Sequence, residues 1–300
     1  MGGSMCCCAD KKGESGSHLE VPRIVQEYPA ADGVMRPEPR DTAFSGLTPR
    51  DHGGKENSYM EDRTLQGDPS AKKGVILYND GSKYEGEWKQ GRAAGKGRCE
   101  VSNGTVLEGE FADDLPHGHA KETRADGSIF EGSFENGKKT GKGRWQSVEE
   151  GWTYTGDFKD DYYEGFGQYE WSDGRVYTGE WKQNQFDGYG RMVWADGRMY
   201  EGAYREDKKN GVGLFRWADG RFHLGIWKDG MQDGKGIFTT KDAMCRAGEW
   251  KKGAREKWTS KPTTLDDFAS LVTPDLLLRP PAGFPTGSSA TAAQLKMCFA

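Results

Sequence analysis

The stretch Tyr84-Glu85-Gly86-Glu87-Trp88 decides the fold, because versions of it return about every 23 residues through the middle of the chain. Each version places a glycine midway between two positions that usually hold large side chains. The other versions are Leu107-x-Gly109-x-Phe111, Phe130-x-Gly132-x-Phe134, Tyr154-x-Gly156-x-Phe158, Tyr177-x-Gly179-x-Trp181, Tyr200-x-Gly202-x-Tyr204, His223-x-Gly225-x-Trp227 and Arg246-x-Gly248-x-Trp250. A fixed period of this size indicates stacked units that bury their apolar faces on one another, which favours a scaffold over an enzyme.

Each unit is predicted to be a β-hairpin. A Gly-x-Gly element such as Gly188/Gly190 opens a run in which large and polar residues alternate, as strands do. An Asp-Gly or Asn-Gly pair such as Asp196-Gly197 closes the run and indicates a type I′ turn. We therefore predict an all-β fold, an elongated single-layer antiparallel sheet of stacked hairpins over residues 72–257, with its large side chains aligned in columns.

Composition narrows the classes of function. The net charge is -5, without the basic excess that nucleic-acid binding requires. No run approaches the roughly 18 apolar residues of a membrane-spanning helix, and the start lacks the apolar core of a secretory signal. The six cysteines show no spacing suited to zinc or to a disulfide framework. These observations together predict a cytosolic chain.

Residues 1–10 are predicted to form an acylation motif. Removal of Met1 would expose Gly2 for N-myristoylation, although Cys6 stands where Ser or Thr is preferred. A single myristoyl chain holds a protein to a bilayer only marginally, so a second signal is needed. Three adjacent thiols, Cys6, Cys7 and Cys8, are predicted to supply it as palmitoylation sites. The alternative is an unmodified tail with a chance cysteine cluster.

The segments outside the repeats carry weaker patterns. Residues 11–71 are predicted to be a disordered linker and residues 280–300 a disordered tail. Residues 258–279 are predicted to hold a short helix that begins at Thr264 and caps the open edge of the last hairpin. The alternative for this helix is docking on another protein.

The eight registered copies resemble the MORN repeat, named for membrane occupation and recognition nexus. The resemblance covers about 60% of the chain, with seven full units and partial ones at both ends. It implies a rod-like single sheet with an open groove, used as a scaffold between membranes, cytoskeleton and protein partners. It also leaves a homodimer open, since members often dimerise, and we favour that state.

The second unit departs from the pattern, with Gly118-His119-Ala120 in place of Gly-x-Gly and Glu122 in a mostly apolar column. His117 and His119 are therefore candidate partner-binding residues, against ordinary local variation. Further candidates for partner binding are Tyr162, Tyr163 and Phe186.

No catalytic or phosphate-binding motif is found, so we expect no catalytic residue, no metal site and no cofactor beyond the covalent lipids myristate and palmitate. The leading hypothesis is a non-catalytic scaffold at the cytoplasmic face of a plasma membrane or cortical inner membrane, presenting its repeats to cytoskeletal, cortical or signalling proteins. The alternatives are a module that binds phospholipid headgroups, including phosphoinositides, and a regulatory subunit of a kinase or other enzyme.

The anchor is tested by membrane fractionation of the wild type beside Gly2→Ala. The variant cannot be myristoylated, so we expect it in the soluble fraction. Replacement of Cys6, Cys7 and Cys8 together should leave only weak, exchangeable binding, because one acyl chain remains. Retention of Gly2→Ala in the membrane fraction would refute the anchor.

Overall fold

A computed structural model of the chain describes residues 63–66 and 72–284, which form one antiparallel sheet of 19 strands. The strands are β1 (Arg63–Gln66), β2 (Lys73–Tyr78), β3 (Lys83–Lys89), β4 (Arg92–Glu100), β5 (Val106–Ala112), β6 (Leu115–Thr123), β7 (Ile129–Glu135), β8 (Lys138–Ser147), β9 (Trp152–Lys159), β10 (Tyr162–Glu170), β11 (Val176–Lys182), β12 (Gln185–Val193), β13 (Met199–Arg205), β14 (Lys208–Arg216), β15 (Phe222–Lys228), β16 (Met231–Thr239), β17 (Met244–Lys251), β18 (Ala254–Trp258) and β19 (Thr263–Thr264). From β1 to β18 each strand pairs with the next in sequence, and β19 pairs with β17 beside β18. The predicted sheet of stacked hairpins is confirmed.

One face of the sheet, the aromatic face, is a continuous layer of large rings. Tyr177 on β11 shows the packing: its ring stacks on Phe186 at 3.7 Å between centroids and meets the edges of Trp181 at 5.2 Å and Tyr204 at 5.5 Å. Tyr177 has no exposed surface. Since large rings bury the most apolar area per side chain, a single layer obtains a core without a second sheet.

The glycines of the repeat make room for these rings. The Tyr177 ring lies over Gly190 of the neighbouring strand, where an added Cβ would stand 2.3 Å from the tyrosine Oη. The hydroxyl of Tyr177 then donates a hydrogen bond to the Glu180 carbonyl at 2.9 Å. Glycine at this position is therefore a packing requirement of the ring.

The Asp-Gly turns differ from the type I′ turns expected from the sequence. In the turn from Trp194 to Arg198, only Gly197 has a positive φ, and its N–H donates to the Trp194 carbonyl at 3.0 Å. The Asp196 carboxylate accepts the Arg198 N–H at 3.0 Å. The loop is thus a type I turn followed by a left-handed glycine, because the aspartate side chain stabilises that geometry.

The type I′ turns lie at the opposite ends of the strands, in the polar segments. Glu206 and Asp207 have φ values of 48° and 66°. The Asp207 N–H donates to the Phe186 carbonyl at 3.0 Å, and the Asp207 carboxylate accepts the Phe186 N–H at 2.8 Å. Asn184 makes the equivalent pair with Tyr163 one repeat earlier. The second residue of each such turn therefore ties one repeat to the previous one.

Three predictions for the segments outside the repeats are corrected. The linker assigned to residues 11–71 contains a strand, since Arg63–Gln66 pairs with β2 and extends the sheet. The predicted helix after Thr264 is absent from the described residues, where two 3-10 turns, Phe268–Leu271 and Pro274–Leu276, take its place. The tail assigned to residues 280–300 begins too early, because Phe284 is buried on the sheet.

Residues 263–284, here called the C-terminal strap, cover a face of the sheet, whereas the sequence predicted a cap on its edge. Phe268 packs on Phe222 of β15 at 5.3 Å, and Leu276 is buried in the same cluster. The backbone hydrogen bonds within the strap join residues three apart, as between the Asp267 N–H and the Thr264 carbonyl, and this pattern gives short turns. The apolar side chains of the strap pack on the sheet. No helix in the described part of the chain is both long enough and apolar enough to cross a membrane.

The ties between repeats are tested at Asp207. Asp207→Ala removes the acceptor for the Phe186 N–H and places a methyl side chain at positive φ, so we expect a loss of about 1–3 kcal/mol in unfolding free energy. Asp207→Asn keeps the acceptor, as Asn184 does, and should stay close to wild type. Urea unfolding followed by tryptophan fluorescence measures both. Equal losses in the two variants would contradict the hydrogen-bonding role.

Candidate functional site: the second face of the sheet

The face opposite the aromatic face, here called the second face, changes character along the sheet. Its central row consists of residues that are paired from strand to strand. In order they are Glu85, Arg98, Glu108, Lys121, Glu131, Arg144, Thr155, Gln168, Thr178, Arg191, Glu201, Leu214, Leu224, Ile237 and Ala247. The row begins with alternating acids and bases and continues with three uncharged polar residues, Thr155, Gln168 and Thr178. The charged pair Arg191 and Glu201 follows, and the row ends with aliphatic residues. The aliphatic end packs under the C-terminal strap. No segment within residues 63–66 and 72–284 covers the charged end, which we treat as the candidate site.

A groove of about 510 Å³ lies on this face between β6 and β10. Its lining consists of His119, Glu131, Gly132, Lys142, Gly143, Arg144, Thr155, Gly156 and Phe166. The three glycines are cross-strand partners, and their missing Cβ atoms would point towards the aromatic face. The groove floor is therefore bare backbone, and the groove runs across the strands along the length of the sheet.

The groove walls carry both charges. Lys142 forms an ion pair with Asp157 at 2.7 Å, while Arg144 forms no ion pair with any described residue. Glu131 stands directly opposite Arg144 in the strand register. Exposed pairs of this kind contribute little to stability, so these charges are available to a partner at small cost to the fold.

At its β10 end, the groove adjoins a cluster of packed and hydrogen-bonded side chains. Tyr189 on β12 donates a hydrogen bond from its hydroxyl to the buried Glu201 carboxylate at 2.7 Å. Burial and the Glu201 charge raise the pKa of Tyr189, which keeps the hydroxyl protonated. Phe284 of the strap packs edge-on against Tyr189 at 4.8 Å and against Phe166 at 6.0 Å. The last described residues of the strap thus adjoin the groove wall.

The predicted partner-binding residues separate into two groups. His119 is exposed and lines the groove, His117 is exposed near the adjacent turn, and Tyr162 is 47% exposed. These three are accessible to a partner.

Tyr163 and Phe186 are corrected, because both are buried in the aromatic face with 0% and 1% exposure. Tyr163 stacks on Tyr154 at 3.8 Å, as Phe186 does on Tyr177. They are core residues. The predicted acylation residues Gly2, Cys6, Cys7 and Cys8 lie outside the described residues.

Sequence reasoning missed most of the groove. Glu131, Lys142 and Arg144 were not selected, since charged residues on the exposed side of a strand look ordinary one at a time. The available signal was the 23-residue period, which places Lys121 and Arg144 in equivalent positions of successive units.

The irregular second unit has a structural explanation on the aromatic face. Glu122 accepts hydrogen bonds from Lys139 Nζ and Arg124 Nε, each at 2.6 Å. Lys139 is 1% exposed and lies over the rings of Phe130 and Trp145 at 5.0 and 5.1 Å. Burial alone would raise the pKa of Glu122, but the two cationic neighbours outweigh it and hold the pKa below its usual range.

Lys139 occupies the position that Tyr163 and Phe186 fill in later repeats, so the buried ion pair replaces a ring stack. Glu122 therefore belongs to the core of its repeat, while His119 faces the opposite side.

The described residues were also compared with the requirements of a metal site and of a disulfide bond. Within residues 63–66 and 72–284, no group of three or more His, Cys, Asp or Glu side chains is placed to hold a metal ion. Cys99 and Cys245 are free, buried thiols. Burial raises the pKa of the Cys245 thiol to about 11, so it is held as the unreactive thiol.

Seven segments of the chain match the family model described as MORN repeat. The matched residues are 84–106, 108–129, 130–148, 154–174, 177–197, 200–220 and 223–242. Each begins at or near the first large residue of a hairpin unit, so the family match and the strand register agree. Seven MORN repeats are thereby identified in the chain.

Among curated proteins, an 89-residue stretch is 33% identical to Alsin of Homo sapiens and to Alsin of Mus musculus. The alignment covers 28% of this chain and 5% of either relative. The chain therefore spans a small part of the length of these relatives.

Two solved structures are similar to this chain at low identity. The TCP domain of Drosophila melanogaster SAS-4 is 16% identical with a TM-score of 0.33, covering 62% of this chain and 97% of that domain. The TCP10 domain of Danio rerio CPAP is 10% identical with a TM-score of 0.37, covering 66% of this chain and 95% of that domain.

A double-mutant cycle tests the buried ion pair. Glu122→Met leaves Lys139 buried without its carboxylate, so we expect a loss of about 3–5 kcal/mol in unfolding free energy. Combining it with Lys139→Phe restores an apolar arrangement like that of later repeats and should recover most of the loss. Urea unfolding measures each variant. Additive losses in the double variant would show that the two side chains do not act as a pair.

Proposed function

We propose that this MORN-repeat protein is a non-catalytic scaffold that presents the charged end of its second face to partner proteins while acyl chains hold it to a membrane. One observation carries the proposal: the strap covers the aliphatic part of the central row, and none of the described segments covers the charged part. A surface built into a rigid sheet and left open is suited to binding.

The frame beneath the face is well suited to a scaffold. Ring packing on the aromatic face, together with hydrogen bonds from a turn such as that of Asp207 to a strand of the previous repeat, holds successive repeats at fixed spacing. A partner would therefore meet side chains held in a fixed order along the central row, with little ordering cost on the scaffold side.

The chemistry of the groove favours an extended protein segment that carries both charges. Glu131 and Arg144 stand side by side, and Phe166 offers one ring at the groove end. Alternating charges select register and suppress wrong partners more than they add affinity. Cytoskeletal, cortical and signalling proteins are the partner classes we propose, and a homodimer is an additional candidate assembly.

The membrane part of the proposal rests on the sequence of the N-terminus. Myristate on Gly2 with palmitate on Cys6, Cys7 and Cys8 would give two anchoring signals at the cytoplasmic face of a plasma or cortical membrane. The repeats would then be concentrated near membrane-bound partners, and the anchor would need no lipid contact from the sheet.

Partner binding is tested by proximity labelling from the tagged chain, comparing wild type with Arg144→Glu. The charge reversal changes an exposed groove residue, so we expect normal folding and membrane association but loss of a specific set of labelled neighbours. Arg205→Glu is the matched control, because it reverses an exposed arginine outside the groove and should leave labelling unchanged.

Identical labelling for wild type and Arg144→Glu would remove the groove as the binding surface. Loss of the same neighbours in Arg205→Glu would show that overall charge, and not the groove, selects them.

Direct recognition of phospholipid headgroups is a second candidate, favoured by two basic side chains that line the groove and a third beside it. Lys121 lies on β6 and Lys142 and Arg144 lie on β8, the two strands that flank β7, and Arg144 has no described ion-pair partner. The test uses full-length chain produced without acylation and vesicles containing phosphoinositide. Binding that Arg144→Glu abolishes supports this function, and absence of binding refutes it.

A further inference from the structure

The charges at the charged end of the second face follow an order that makes this face complementary to itself. Six charged residues occupy consecutive strands of the central row, and all six are exposed: Glu85, Arg98, Glu108, Lys121, Glu131 and Arg144. The row starts with an acid and ends with a base, so reversing its order exchanges the sign at every position. The six side chains together carry no net charge, so two copies of the row would meet without net repulsion.

A two-fold axis between two facing copies brings the row against its own reverse. When the axis runs parallel to the strands and passes between β5 and β6, each of the six charges faces an opposite one, and each contact occurs twice. The facing pairs are Glu108 with Lys121, Arg98 with Glu131, and Glu85 with Arg144.

Other positions of the axis suit the charges less well. An axis through β5 or through β6 would set Glu108 or Lys121 against the same residue of the second copy. An axis between β4 and β5, or between β6 and β7, would give opposite partners to only four of the six charges. The position between β5 and β6 therefore satisfies the row best.

A parallel row on the same face shows the same pattern. Its members lie two residues along each strand from the central row: Lys73, Glu87, Lys96, Glu110, His119, Ser133, Lys142 and Asp157. The same axis sets Glu87 against Lys142 and Lys73 against Asp157, again with opposite charges. The two remaining pairs join a lysine to a serine and a glutamate to a histidine. This row therefore brings no like charges together.

The extent of the open face points to the same axis independently of the charges. Among the described strands, β1 forms the N-terminal edge of the sheet, and the strap reaches back as far as β10, where Phe284 packs on Phe166. The midpoint of the ten strands from β1 to β10 lies between β5 and β6. A second copy placed about this axis has its β1 over β10, so it covers the face up to the strap.

From these observations we propose that the charged end of the second face binds a second copy of this chain, face to face about the axis between β5 and β6. The inference rests on the proposed function, because it names a partner for the same surface. The two charged rows together span seven strand spacings, from β2 to β9, or about 34 Å. Since sheets twist, the two faces lie closest at the axis, so Glu108 and Lys121 contribute most.

The contacts define a weak, salt-dependent dimer. The facing side chains are mostly exposed and charged, without the apolar anchors that dominate tight interfaces. Some already form ion pairs within their own chain, as Arg98 Nε does with Glu108 at 3.0 Å. The second copy extends such pairs into networks, which raised salt screens. Complementary charges of this kind fix the register of association more than its strength.

The test reverses the two charges at the axis in the full-length chain produced without acylation, and sedimentation equilibrium measures the mass. Wild type should form a dimer at low salt that dissociates as salt is raised. Glu108→Lys and Lys121→Glu each set like charges against one another twice, so we expect each to raise the dimer dissociation constant about tenfold or more. An equimolar mixture of the two variants restores both opposite-charge contacts and should dimerise as wild type does.

The mixture separates pairing between copies from effects within one chain. Glu108 and Lys121 are also cross-strand neighbours, but their surroundings within each variant do not change on mixing. The two changes combined in one chain keep opposite charges at the axis and should also dimerise. Arg205→Glu and Glu206→Lys are the matched controls, because they reverse exposed charges at the end of β13, outside the overlap, and should leave dimerisation unchanged.

Three results would each overturn the inference: a wild-type chain that stays monomeric, a dimer that both reversals leave intact, or a mixture that stays monomeric. The scaffold proposal is judged separately, by the labelled neighbours that Arg144→Glu loses, so a monomeric wild type leaves it standing. Unchanged labelling in Arg144→Glu likewise leaves the dimer measurable, because the reversals at Glu108 and Lys121 lie outside the groove lining.

Discussion

The fold depends on one packing arrangement, in which a ring such as that of Tyr177 lies flat over Gly190 on the neighbouring strand. A sheet one layer thick has no opposing layer to cover its apolar side chains, so the rings must cover each other and the backbone. Any Cβ under the ring would push it away from its neighbours Phe186 and Tyr204. Each such ring therefore requires a glycine beneath it, and repetition of this ring–glycine contact produces the whole sheet.

This arrangement separates the tasks of the two faces. The aromatic face supplies stability, so the second face is free to vary, and its central row changes from charged to aliphatic along the sheet. The strap packs on this face over Leu214, Leu224 and Ile237. Over Glu131 and Arg144 the face stays open in the described part of the chain. The charges on this open part thus belong to residues with little part in holding the fold.

The same arrangement tolerates a charged exception. Glu122 and Lys139 stand in ring columns, yet both are buried, because each neutralises the other and Arg124 adds a third partner. A pair of this kind stabilises no more than well-packed rings would, but loss of either partner alone leaves an unpaired buried charge. His223 shows a different exception: it fills a tyrosine position, and burial lowers its pKa to about 3, so it packs as a neutral ring.

The sequence by itself determined the repeat, the single antiparallel sheet and the columns of large side chains, because a 23-residue period and two-residue alternation are local properties of the chain. It misplaced the type I′ turns, since Asp196-Gly197 and Glu206-Asp207 are distinguished by hydrogen bonds to side chains and to the previous repeat. It also assigned Tyr163 and Phe186 to binding, although both are core. Only the tertiary structure decided which face the strap covers and where the groove opens, because both depend on contacts between residues far apart in sequence.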